Sequence, residues 1–227
     1  NTFYATIRSA GILSKMYRMY PFIGGTANAH RVEGVSPSVN SGTFNGGWTH
    51  SVSGATPNGT NGYMNQSPTI APSINANFGF GVYINETGGN KTPIGSYSDN
   101  GTGINGQGYA AIQFVLASNI WAAGSNDRLN DVSTRAITIN QGFFAASRTS
   151  GSNVVLKQNT GTTNVSITQV LDTQQQFIGG RSSNGAPEDF FNKRLAFVFQ
   201  GNNLSSAELD TLYNAIQTYQ TSLGRQV

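Results

Sequence analysis

The feature that most constrains this chain is a period-two alternation of apolar side chains, broken at short intervals by glycine-containing turns. Phe78, Phe80, Val82 and Ile84 alternate with Gly79, Gly81, Tyr83 and Asn85, the pattern of a half-buried strand. Ile112, Phe114 and Leu116 repeat it, as do Ile137 with Ile139, Val165 with Ile167, and Leu195, Phe197 and Phe199. Asn45-Gly46, Asn58-Gly59, Asn61-Gly62 and Gly88-Gly89 punctuate the runs, and such pairs are turn formers. No amphipathic segment of helix length separates them, so a βαβ sheet is excluded and a sandwich or barrel of short strands is implied. Residues 154–161 read as a strand entering a tight hairpin that returns through Val165 to Ile167.

Helical periodicity is confined to the two ends. Over residues 2–19, Phe3, Ile7, Ala10, Leu13, Tyr17 and Tyr20 fall on one stripe, and Pro21 closes the segment. Near the C-terminus Ser205 and Glu208 form a capping-box pattern, and Leu204 can staple onto Leu209. Leu209, Leu212, Tyr213, Ile216 and Leu223 make an apolar stripe that Gly224 ends. The expected organisation is an N-terminal helical arm and turn over 1–25, then a single sandwich domain over 26–227 that includes a helix at 205–223. That helix is expected to pack on its own sandwich. The chain opens on Asn1 with no signal-peptide pattern, so it is read as a processed product or part of something longer.

Composition removes several function classes. Only 10% of the 227 residues are charged, so Asn, Ser, Thr, Gly and Gln cover the surface, which excludes a coiled coil or a charged disordered tail. No apolar run approaches the 18 residues of a membrane span. The net charge is +3 with the basic residues scattered, which argues against nucleic acid. Without cysteine there is no disulfide, thiolate metal site or thiol nucleophile.

Candidate chemistry is correspondingly thin. The acids read as lying in loops and at a helix start, so the paired carboxylates of a glycosidase are not expected. His30 and His50 belong to no closely spaced ligand set, and Thr49-His50-Ser51 reads as a local hydrogen-bonding cluster. No Gly-x-Ser-x-Gly elbow is present. The glycine-rich stretch 101–106 has dinucleotide-fingerprint spacing but no helix behind it, and is read as a turn. Asn126-Asp127 and Asn130-Asp131 offer oxygen donors of the kind Ca²⁺ takes, without EF-hand order. The expectation is no cofactor, with calcium as the alternative. Carbohydrate binding needs an aromatic platform beside amides and carboxylates. Tyr97, and Trp121 with Asn126 and Asp127 in the polar stretch 125–131, are the candidate glycan-binding residues, while Trp48 reads as a core or sheet residue.

Several ordered blocks resemble a family of bacteriophage virion proteins. They are Tyr20-Pro21-Phe22-Ile23-Gly24-Gly25-Thr26-Ala27, then Gly46-Gly47-Trp48-Thr49-His50-Ser51, and the stretch from Gly54 to Tyr63. The match resumes at Gly142-Phe143-Phe144-Ala145-Ala146-Ser147-Arg148, Phe177-Ile178-Gly179-Gly180-Arg181, Leu195-Ala196-Phe197 and Leu204-Ser205, and closes over residues 220–227. The resemblance implies a concanavalin A-like (laminin-G-like) jelly roll: an all-β, two-sheet antiparallel sandwich with a short N-terminal and a C-terminal helix. It brings no catalytic motif. The implied role is a non-enzymatic structural or adhesive component (tail, fibre or head decoration) on the virion exterior. Its implied partners are copies of itself, other virion proteins and host surface glycans, without nucleic acid or membrane insertion. A secreted or cell-surface lectin is the alternative, and a polysaccharide-degrading enzyme the third reading.

Overall fold

The computed structural model describes residues 2–37, 41–67, 69–70, 77–99, 107–115, 120–127, 133–136, 141–150, 152–166 and 172–227. For 107, 115, 120–127 and 133–136 the backbone alone is described. Three helices accompany the strands: α1 (Thr2–Ser9), α2 (Ala27–His30) and α3 (Ser206–Ser222). The strands, in chain order, are β1 (Met16–Tyr20), β2 (Ser41–Asn45), β3 (Trp48–Ser51), β4 (Gly54–Pro57), β5 (Tyr63–Ser67) and β6 (Phe78–Ile84). They continue with β7 (Lys91–Asp99), β8 (Gln107–Val115), β9 (Ile120–Asp127), β10 (Ser133–Ala136), β11 (Gly142–Ser150) and β12 (Asn153–Gln158). The last are β13 (Gly161–Ser166), β14 (Phe177–Ile178), β15 (Arg181–Ser183), β16 (Ala186–Glu188) and β17 (Leu195–Asn202).

They form two sheets. The first runs β13-β12-β11-β6-β17-β4-β3, with β1 also on β17; the second runs β10-β9-β8-β7-β14-β5-β2, with the β15–β16 hairpin beside β7. Among the described strands pairing is antiparallel except for β15 along β7, which the parallel bridge of Thr92 with Phe190 accompanies. Between the sheets lies one apolar cluster, including Phe78, Phe80, Val82 and Ile84 from β6, Ile94 from β7, Ile112 and Phe114 from β8, and Val198 from β17. The chain is therefore a two-sheet, mainly antiparallel β-sandwich with helices at its ends, as the alternation and capping signals imply. The hairpin at 154–161 is present, with Asn159 at φ 48° in its turn.

A second cluster lies on the other side of the first sheet. There Leu209, Leu212 and Ile216 of α3 and Phe3 and Ile7 of α1 pack against Tyr83, Phe143, Phe197 and Phe199. Phe3 makes an edge contact with Phe197 at 5.4 Å between centroids and a tilted one with Tyr219 at 5.2 Å. This third layer corrects the half-buried reading of residues 78–84: every residue of β6 is buried, because helices cover the face its small residues and Tyr83 present. The capping box forms as expected, with Ser205 Oγ accepting from the Glu208 N–H at 3.3 Å and Glu208 Oε2 from the Ser205 N–H at 2.9 Å.

The N-terminal segment departs from expectation. Helix α1 stops at Ser9, Gly11 takes φ 72°, and Met16–Tyr20 pairs with β17 as a strand. The reason is a register shift between Met16 and Arg18, which lets Tyr17 and Tyr20, three apart as on a helix, both reach the inter-sheet core from a strand. Its Tyr20 enters the inter-sheet core and its Met16 and Met19 the helical layer. The short helix α2 carried no sequence signal. Three acids assigned to loops close strands instead, Asp99 on β7, Asp127 on β9 and Glu188 on β16, so part of the 125–131 stretch is strand rather than loop. Leu116, Ile137, Ile139, Ile167, Asn130, Asp131 and the 101–106 stretch lie outside the described residues.

The C-terminal block clamps these layers. Arg225 is 6% exposed, yet its guanidinium donates to the carbonyls of Pro21 (2.7 Å), Phe22 (2.9 Å), Ala196 (3.1 Å) and Val52 (3.3 Å), and to Gln220 Oε1 (2.7 Å). One side chain thus ties the end of the chain to segments from its beginning, its β3–β4 turn and β17.

Candidate functional site

Alternation along β7 and β8 decides which side chains face away from the core. Ile94, Ala110, Ile112 and Phe114 point into the inter-sheet cluster, so Gly95 and Tyr97 on β7, and Tyr109, Ala111 and Gln113 on β8, lie on the outer face of the second sheet. Tyr97 pairs with Tyr109, and Tyr109 with Asp127 on β9. Two of the candidate glycan-binding residues, Tyr97 and Asp127, therefore stand on one cross-strand row, with Asn126 next along the chain. Trp121 does not join them. It pairs with Phe114, six residues from Asp127 and so about 20 Å away along β9.

The sequence reading missed the residues that build up this face. Arg181, at the start of β15, lies 5.8 Å from the Tyr97 ring and 5.9 Å from the Tyr109 ring, a cation between two aromatic faces. Its Nε (3.1 Å) and Nη2 (2.6 Å) both donate to Glu188 Oε1 across the β15–β16 hairpin. Burial opposes the Arg181 charge, but Tyr109, Glu188 and Asp189 outweigh it and hold its pKa above the ordinary value. Next along the face, the Tyr109 hydroxyl donates to Gln113 Oε1 at 3.3 Å, and Gln113 Nε2 to Asp189 Oδ2 at 2.8 Å. Asp189 also accepts from Thr92 Oγ1 and pairs with Lys91 at 3.2 Å. Beyond Arg181, Tyr63, Phe177 and Phe190 continue the aromatic strip, with Tyr63 4.9 Å from Phe177. The strip needs a long-range parallel pairing of β15 with β7, which no local pattern announces.

Two other places weigh less. A groove of about 470 Å³ is lined by Tyr4, Pro21, Ile23, Ala29, Val32 and Pro37. Its one acid, Glu33, is consumed by the N–H groups of Met19, Val35 and Ser36 at 2.6–2.8 Å. At the sheet edge, His30 Nδ1 and His50 Nδ1 lie 3.0 Å apart beneath Phe44 and Trp48. This corrects the Thr49-His50-Ser51 cluster: His50 pairs with a helix residue twenty positions away, while Ser51 Oγ donates to the Gly54 carbonyl. Burial, then His50 and Arg225, push the His30 pKa down to about 4. Trp48 is a structural residue, donating to the carbonyls of Asn45 and Tyr63. Gly179, at φ 81°, passes so close that a Cβ there would sit 2.7 Å from the indole. Among the described residues no three His, Asp or Glu side chains gather as metal ligands, and no helix is long and apolar enough to cross a membrane.

The chain is thus a two-sheet β-sandwich whose second sheet carries aromatic and hydrogen-bonding side chains on its outer face. No protein-family model matches the chain, and a search of curated proteins finds no match. Solved structures share the fold. A mutant of Trypanosoma rangeli sialidase with trans-sialidase activity superposes with a TM-score of 0.62 at 13% identity, over 98% of this chain and 38% of that one. The binding domain of botulinum neurotoxin DC, in complex with SialylT, gives 0.56 at 10% identity, over 90% of this chain and 52% of that one. Domain 4 of AbnA, a GH43 extracellular arabinanase from Geobacillus stearothermophilus in complex with arabinotriose, gives 0.54 at 12% identity over 88% of this chain and 98% of that one. The chain spans between about a third and a half of the sialidase and toxin chains.

Proposed function

We propose that this chain is a non-enzymatic carbohydrate-binding sandwich that serves as an adhesive component on the exterior of a bacteriophage particle. The observation that carries the binding role is Tyr97, half-buried on an outer sheet face and backed by Arg181 and the buried Tyr109, with Asp99, Glu188, Asp189 and Gln113 around it. An aromatic face takes the C–H side of a sugar ring, while carboxylates and amides take its hydroxyls. The likeness in fold to a toxin binding domain in complex with SialylT and an arabinanase domain in complex with arabinotriose supports the same reading. The phage setting rests on the sequence blocks named above. Three of those blocks meet in space where Arg225 holds Pro21, Phe22 and Ala196.

The absence of catalysis in this proposal follows from how the nearby acids are engaged. Glu188 is ion-paired to Arg181 through Oε1, and Asp189 is held by Lys91, Thr92 and Gln113, so both act as fixed, ionised hydrogen-bond acceptors rather than as a general acid. A glycan array with the wild type beside Tyr97→Ala tests the reading. Binding that falls at least tenfold in the variant (~1.4 kcal/mol), without release of reducing sugar, is the expected outcome. Binding unaffected by Tyr97→Ala, or turnover of a bound polysaccharide, overturns it.

A further inference from the structure

The charges of this face select among glycans, an inference that rests on the carbohydrate-binding reading. We infer that the Tyr97–Arg181 site takes uncharged sugars and disfavours those bearing a carboxylate, with Glu188 as the residue that sets the preference. Arginine is the side chain best suited to clamp a sugar carboxylate, through two parallel N–H donors. Here both the Nε and Nη2 of Arg181 already converge on Glu188 Oε1, at 3.1 and 2.6 Å. The other cation, Lys91, is spent on Asp189 at 3.2 Å. Arg181 and Glu188 offset each other, as do Lys91 and Asp189, and Asp99 beside Tyr97 adds a further carboxylate, so an acidic sugar would enter a field of net negative sign.

The same arrangement suits a neutral sugar. Ionised carboxylates only accept hydrogen bonds, so a face rich in them asks its ligand for donors, and sugar hydroxyls supply them. Glu188, with its side chain 44% exposed, is the carboxylate best placed to accept them. Arg181, 18% exposed and held between two tyrosines, serves as a wall of the platform. Burial first, and then Asp99, raises the pKa of the Tyr97 phenol, so its hydroxyl remains neutral and able to hydrogen-bond.

The test is a binding series on the whole chain with neutral oligosaccharides (arabinan, galactan, glucan and mannan fragments, and lactose) beside sialylated or uronic acid-bearing counterparts, such as lactose against 3′-sialyllactose. Wild type, Tyr97→Ala and Glu188→Gln are compared, with circular dichroism to confirm each fold. The expected result is Tyr97-dependent binding of neutral members, acidic counterparts at least tenfold weaker, and a gap that narrows in Glu188→Gln because the charge that neutralises Arg181 is removed. Acidic counterparts bound as tightly as neutral ones by the wild type, through Tyr97, overturn the preference and leave the carbohydrate reading standing. A gap unchanged in Glu188→Gln overturns the role given to Glu188. Binding of neither set overturns the carbohydrate reading and the preference together.

Discussion

Truncating Leu212 probes whether the C-terminal helix belongs to the fold or waits for a neighbour. Leu212 is fully buried in the layer between α3 and the first sheet, in one cluster with Phe143, Phe197 and Phe199. Leu212→Ala removes three carbon groups, worth about 0.8 kcal/mol each in transfer, or about 2.4 kcal/mol. A residual cavity of about 60 Å³, at about 24 cal/mol per Å³, adds about 1.5 kcal/mol, for a total near 4 kcal/mol. For a domain of this size each kcal/mol lowers Tm by about 2–4 °C, so the isolated chain should melt about 8–16 °C lower. Urea unfolding should give the same loss through a shifted midpoint at unchanged slope. Val52→Ala, at a side chain 79% exposed, serves as the control and should stay within about 0.5 kcal/mol. A Leu212→Ala protein melting within about 2 °C of the wild type would refute the intramolecular packing.

Arg225→Met should cost at least about 3 kcal/mol in denaturant unfolding, because the carbonyls of Pro21, Phe22, Val52 and Ala196 lose a charged donor. Arg225→Lys should not restore it, since an ammonium lacks the planar fork; full rescue by Lys would contradict the clamp. Two buried groups give stability opposite pH slopes. His30 titrates at about 4 in the fold against 6.5 ordinarily, so its contribution is complete above about pH 6.5 and is lost as pH falls towards 4. Burial raises Asp172 to about 6 from 3.8, so its contribution is complete below about pH 3.8 and is lost as pH rises through 6. The wild type should therefore show a shallow profile between pH 4 and 6. Asp172→Asn should unmask a decline on acidification, and a flat profile in that variant would contradict the burial assigned to His30.

The sandwich was legible because its signals are local. Alternation at 78–84, 112–114 and 195–199, the hairpin at 154–161 and the Ser205–Glu208 capping box each lie within a few residues, and each forms where the pattern places it. What escaped depends on contacts distant in sequence. The helical layer that buries both faces of β6 cannot be read from β6. A strand at 16–20 was masked by spacings that also suit a helix. The interior holds a polar network in which Gln200 donates to Gln176 Oε1 at 2.8 Å and Gln176 to the Ala110 carbonyl at 2.7 Å, although glutamine reads as a surface residue. At the candidate site, Tyr97 and Asp127 were visible as an aromatic and an acid in polar stretches. Arg181 was not, because its value lies in the pairing of β15 with β7, 86 residues upstream of it in register.

The most direct test of the central claim is a crystal structure of the protein with the oligosaccharide that binds it most tightly. A sugar ring is expected against Tyr97, with hydroxyls donating to Glu188 or Asp99 on the outer face of the second sheet. A sugar seated elsewhere, in the groove between Tyr4 and Val32 or at the Phe44–Trp48–His50 edge, would contradict it.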